Sequence, residues 1–153
     1  MKYVFALCMV STMALGTRPL HAQKVYQESG GYVMMEMENT QSSLGQWVEK
    51  TSIPGYSGSV HLEFTGNSPS GGPVNSSLIY RFRINTAGTY WLCLRTARRL
   101  EGAPEDQCND CYVKMEGDYT SGSRAPLEWL QNHTKLFGGQ ASWGWASWLD
   151  KDH

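Results

Sequence analysis

The sequence predicts an all-β chain, folded as a two-sheet antiparallel β-sandwich, and three observations predict it. Apolar residues recur at every second position in several short stretches, the spacing that turns one strand face to a core and the other to water. Between these stretches lie loops rich in Gly, Ser, Pro and Asn, the residues that reverse a chain. No run of ten or more residues carries apolar side chains at helical spacing, so the alternation has no helical competitor.

The chain opens on Lys2, a mostly apolar run from Tyr3 to Leu15, and then Gly16-Thr17-Arg18-Pro19-Leu20-His21-Ala22. That is the outline of a secretory signal peptide covering residues 1–22. The run is too short to span a membrane, and no Cys follows the cleavage region to take a lipid. The product is therefore expected to be secreted, extracellular or periplasmic, with no membrane partner. Removing 22 of 153 residues leaves 131, enough for one core, so residues 23–153 are expected to form a single domain acting as a monomer.

The strands follow in order. Val33, Met35 and Met37 alternate with Glu36 and Glu38 and read as an opening strand, and Trp47-Val48-Glu49 reads as the next. A loop, Ile53-Pro54-Gly55-Tyr56-Ser57-Gly58, leads to Val60-His61-Leu62-Glu63-Phe64, with His61 and Glu63 on the wet face. After the loop over residues 66–75 comes the cleanest alternation, Leu78, Tyr80, Phe82 and Ile84 inward and Arg81 and Arg83 outward. A turn at Asn85-Thr86-Ala87-Gly88 leads to Tyr90-Trp91-Leu92-Cys93-Leu94-Arg95. A strand carrying Cys111, Val113 and Met115 on its inner face, and a tryptophan-rich strand near the C-terminus, complete the set.

Charge excludes one class of partner. Of 13 basic side chains, Lys2 and Arg18 leave with the leader, so 11 face 14 acidic ones. An acidic chain lacks the basic stripe that nucleic acid requires. Three cysteines remain once Cys8 leaves, which in an exported protein implies one disulfide and one thiol. Cys108-Asn109-Asp110-Cys111 is expected to close as a turn disulfide, since one CxxC supplies two of the four ligands zinc needs and no helix follows it as in a redox motif. No G-x-S-x-G or H-x-x-x-H pattern occurs, and no Ser/His/Asp set stands out.

Three of the six tryptophans fall within Trp143-Gly144-Trp145-Ala146-Ser147-Trp148. On one strand Trp143 and Trp145 share a face and Trp148 takes the other, so core and solvent divide them. An exposed indole beside Asn, Gln and Ser suits a pyranose, whose C–H face stacks on the ring while its hydroxyls are hydrogen-bonded. All three indoles simply packing is the alternative.

Gly144-Trp145-Ala146-Ser147-Trp148 resembles the G-W-x-[ST]-W element of family six carbohydrate-binding modules, non-catalytic β-sandwiches attached to secreted polysaccharide-degrading enzymes. Met35-Glu36-Met37-Glu38-Asn39 resembles that family's opening strand with its E-x-E pair. Ser77-Leu78-Ile79-Tyr80-Arg81-Phe82 and Ala87-Gly88-Thr89-Tyr90-Trp91-Leu92-Cys93-Leu94-Arg95 are similar to two further strands, in the same order, the whole covering roughly residues 31 to 149. The resemblance implies a jelly-roll, galactose-binding-like fold, with Trp145 stacking on sugar, Trp148 in the core and Trp143 undecided. It also implies a closing hairpin after Trp148, whereas five residues follow here, so the sequence reads as the N-terminal part of a longer polysaccharide-active protein.

Glu36 and Glu38, two apart on a strand, would point the same way with Cα atoms roughly 7 Å apart. They read as surface charges, or as ligands of a structural Ca²⁺ joined by loop oxygens near Asn39 and Asn109-Asp110. The resemblance favours calcium. As glycosidase acid and base they would reach a bond from one side only, which disfavours a catalytic role. Tyr56 is a candidate second stacking wall. Trp91, with Arg95, Arg81, Arg83, His61 and Glu63, forms a candidate sheet-face surface for an acidic or sulfated sugar. The functions in view are non-catalytic carbohydrate binding, an adhesive β-sandwich contacting protein, and a fragment of a glycoside hydrolase.

Overall fold

The computed structural model describes residues 24–66, 76–98, 108, 110–119, 130–137 and 141–150. The leader at 1–22, most of the loop at 66–75, Asn109 and the side chain of Trp148 lie outside the described residues.

Among the described residues short strands are the dominant regular element, as the alternation predicts. Strand β1 (Val25–Gln27) pairs in parallel with β4 (Arg81–Arg83), the register matching Tyr26 to Phe82. Strands β2 (Trp47–Lys50) and β3 (His61–Phe64) form an antiparallel hairpin around residues 51–60. Strand β5 (Leu94–Thr96) pairs antiparallel with β8 (Gly144–Ala146). Strands β6 (Asp110–Val113), β7 (Thr134–Phe137) and β9 (Trp148–Asp150) form an antiparallel sheet with β7 in the middle. Three pairs and one triplet are thus the observed pairing.

Burial is deepest on β7. Leu136 is 1% exposed and faces Cys111 of β6 and Leu149 of β9 across the ladders. On the other face of the strand the buried Lys135 holds Asp110 at 3.1 Å, a pairing that a charge needs in order to be covered. The hairpin β2–β3 has its own lock. Trp47 and Phe64 are cross-strand partners with ring centroids 5.1 Å apart, and Lys50 bonds Glu63 at 2.8 Å. The Trp47 indole also donates to the carbonyl of Ser76 at 2.8 Å, tying the hairpin to the start of the next segment.

Four expectations are corrected. The opening strand through Glu36 and Glu38 does not form: Glu36 is extended, and Met37–Asn39 is a 3-10 turn. The carbonyls of that turn are claimed by tyrosine hydroxyls, Tyr80 donating to Met37 at 2.6 Å and Tyr26 to Asn39 at 3.2 Å. Burial pushes the Tyr80 phenol up to about 12. The strand expected over residues 78–84 shrinks to three residues, leaving Phe82 and Ile84 exposed, because a three-residue parallel partner covers too little of its apolar side. The strand expected to carry Tyr90 and Trp91 begins only at Leu94. Finally, the tryptophan-rich stretch is two strands. The chain leaves β5's partner at Ala146, turns at the exposed Ser147 and joins β7, so strand parity does not run through from Trp145 to Trp148.

Candidate functional site

The loop at residues 51–60 collects chemistry from three distant segments. Arg95 on β5 donates from Nη2 to the Gly55 carbonyl at 2.8 Å, and the Trp143 indole donates to the Ile53 carbonyl at 3.3 Å. Gly55 takes φ +95°, a backbone conformation that favours glycine, and the Trp143 ring packs in ordinary contact beside it. The loop's aromatic residue, Tyr56, lies against His61 with ring centroids 5.5 Å apart. His61 in turn meets Trp143 edge-on at 5.4 Å, and the Arg95 guanidinium lies 5.6 Å from the centroid of the same indole. Tyr56, His61, Trp143 and Arg95 therefore form one cluster.

His61 is a correction. Alternation places it outward, but it is 6% exposed, because the loop folds back over it on one side and Trp143 closes the other. Neither ring nitrogen has a hydrogen-bond partner among the described residues. An apolar ring of similar size has no such desolvation cost, so His61→Phe is expected to keep or raise the unfolding midpoint in urea. A loss above about 1 kcal/mol would show instead that the imidazole is hydrogen-bonded in solution.

Beside this cluster stands Trp145, 68% exposed and directly opposite Arg95 in the β5–β8 register. Opposed residues of an antiparallel pair share a face, and Trp143, two residues before Trp145, belongs to that same side. The two indoles differ in exposure: Trp143, left undecided by the sequence, is anchored and half-buried, and Trp145 is presented. Of the four residues nominated for stacking, three, Trp145, Trp143 and Tyr56, meet on or beside one surface. Trp91 is also exposed, at 61%, but precedes β5, while Arg81 and Arg83 lie on a strand paired with β1. With His61 and Glu63 drawn inward, the nominated residues do not share one sheet face.

The same loop receives the two carboxylates. Ser57 donates its hydroxyl to Glu36 at 2.9 Å, and the Glu38 carboxylate packs directly against Gly58, whose φ is +76°. The strand geometry that would have aligned the pair is absent, yet both side chains reach neighbouring residues of one loop. Among the described residues, no group of three or more His, Cys, Asp or Glu is placed to hold a metal ion. Any cation at Glu36 and Glu38 would need hydroxyl or carbonyl oxygens, such as those of this loop, to complete its shell.

No disulfide joins the described cysteines, which corrects the expected Cys108–Cys111 bridge. Cys111 sits within β6 opposite Leu136, whereas Cys108 precedes the strand, exposed, at φ +60°. Burial pushes the Cys111 thiol above its ordinary value, so iodoacetamide is expected to label Cys93 and Cys108 well before Cys111 in the folded protein. Equal labelling rates, followed by mass spectrometry, would contradict that burial.

No family model, no characterised protein and no solved structure matches the chain. The residues themselves carry the functional reading. The roles of His61 and Arg95 in assembling the cluster escape a sequence reading, because each depends on segments brought together only by the fold.

Proposed function

We propose that this protein is a secreted, non-catalytic carbohydrate-binding β-sandwich module, part of a polysaccharide-degrading protein, that grips a polysaccharide or oligosaccharide chain. The observation that carries this reading is the Trp145 indole, two-thirds exposed yet held opposite Arg95 beside an anchored Trp143. A large aromatic on so short a pair of strands, with an arginine alongside, offers a ring face to a pyranose and hydrogen-bond donors to its hydroxyls. The resemblance of Gly144-Trp145-Ala146-Ser147-Trp148 to the family six element gives Trp145 the same role. In this reading Glu36 and Glu38 hold a structural Ca²⁺ with oxygens of the 53–58 loop, stiffening the surface from behind. They approach one loop rather than flanking a cleft, which favours binding over hydrolysis. Among the described residues no helix is long and apolar enough to cross a membrane.

A contact surface for another protein is the second reading, favoured by the exposure of Tyr32, Met34 and Ile79. Affinity electrophoresis of the mature chain through gels containing plant and algal polysaccharides separates the two, with calcium or chelator in paired lanes. Trp145→Ala is expected to abolish retardation, a loss of tenfold or more in affinity, about 1.4 kcal/mol, while stability changes by less than about 0.5 kcal/mol. Unretarded migration of the wild-type chain in every gel would remove the saccharide reading and leave the protein-contact one.

A further inference from the structure

Away from the tryptophan edge, a cleft of about 510 Å³ opens between β1, β4 and the segment after the 3-10 turn. Its size falls in the range that holds a small ligand. Its walls are cross-linked, so it is built before any ligand arrives. Tyr26 and Tyr80 share a face through the β1–β4 register and both donate to carbonyls of the 3-10 turn. The Lys24 amide donates to Gln41 at 2.9 Å, and the Ile79 amide to the Ser42 hydroxyl at 2.8 Å.

The charge of the lining is one-sided. Lys24 and Arg81 line the cleft together with Gln41, Ser42, Ser77 and two tyrosines, and no Asp or Glu is among the lining residues. Among the described residues, neither cation is in an ion pair, and the Lys24 ammonium rests 4.5 Å from the Tyr26 ring centroid. Glu38 carries its carboxylate against Gly58 and is not among the lining residues. Rings for stacking, hydroxyl and amide groups for reading hydroxyls, and uncompensated cations together define a ligand that is polar, ring-shaped and negatively charged.

The geometry points to a second binding site in this cleft, for a carboxylate-bearing sugar such as a uronic acid residue. Lys24, over the Tyr26 ring, meets the carboxylate, Arg81 in the lining adds positive charge, and Tyr26 and Tyr80 offer the sugar ring the face they share. The site rests on the saccharide reading for its ligand class but shares no residue with the Trp145 surface, so either can fail alone.

Isothermal titration with galacturonic acid trimer, and with its methyl ester, which keeps the size and removes the charge, tests it. Both cations are exposed, and the Lys24 hydrogen bond to Gln41 uses the backbone, so Lys24→Gln and Arg81→Gln leave the walls intact. The expected result is binding of the acid trimer that weakens with added salt, falls at least tenfold in the Lys24→Gln, Arg81→Gln double variant, and is unchanged in Trp145→Ala. The ester should bind at least tenfold more weakly. No binding of the acid trimer, equal binding of acid and ester, indifference to the double variant, or loss in Trp145→Ala would each overturn this site. Retardation by neutral polysaccharide that depends on Trp145 would still stand in any of those cases.

Discussion

Leu136→Ala is expected to destabilise the protein by about 2–5 kcal/mol, seen as a lowered midpoint in urea denaturation. The side chain is 1% exposed, on the strand that is hydrogen-bonded on both sides, and it faces Cys111 and Leu149. Truncation removes apolar contact and leaves a void that β6 and β9 can fill only by moving relative to β7. Domains of this size are stable by about 5–15 kcal/mol in total, so the variant should lose a large share of its margin. Leu136→Met, which keeps the volume, should cost less than about 1.5 kcal/mol. A cost below about 1 kcal/mol for the alanine variant would mean that the β6–β7–β9 sheet does not supply the core.

Gly58→Ala should do comparable harm by another route, and should be felt at the tryptophans. Two costs combine at this position. The backbone is in the left-handed region, where an L side chain is disfavoured by roughly 1–2 kcal/mol. A Cβ there would also land on the Glu38 carboxylate, so either Glu38 or the loop must shift. Because the loop carries the carbonyls that hold Arg95 and Trp143, its displacement should change the near-ultraviolet circular dichroism and weaken saccharide retention together. Removing the obstructing carboxylate in the double variant Glu38→Ala, Gly58→Ala should recover the steric part and not the backbone part. A double-mutant cycle reads that difference directly, and strict additivity would show that Glu38 is not the obstacle.

What depends on neighbours in the chain is legible in the amino-acid sequence, and what depends on distant residues is not. The strands Trp47–Lys50 and His61–Phe64 are legible because a Gly/Pro loop separates them, while their pairing, Trp47 opposite Phe64, is seen only in the structure. The shared face of Trp143 and Trp145 is legible for the same reason, since side chains two apart on a strand agree in direction. Alternation says which residues agree with one another, however, and not whether a partner arrives to cover them. Among the described strands β4 pairs with β1 alone and Phe82 and Ile84 are exposed, whereas His61 is buried because Tyr56 and Trp143 converge on it. Met35-Glu36-Met37-Glu38 alternates as a strand should, yet hydroxyls of Tyr26 and Tyr80, far away in sequence, bond the carbonyls of a 3-10 turn there.

The 53–58 loop is fastened at both ends of its reach, by Ser57 and Gly58 to the glutamates and by Ile53 and Gly55 to Trp143 and Arg95. Four of its six residues are therefore tied to side chains from elsewhere in the chain. Breaking the Ser57–Glu36 hydrogen bond releases one end of the segment whose other end carries the carbonyls that receive the indole and guanidinium N–H groups. The loop is thus a splint between the glutamates and the tryptophan-arginine cluster rather than a free connection.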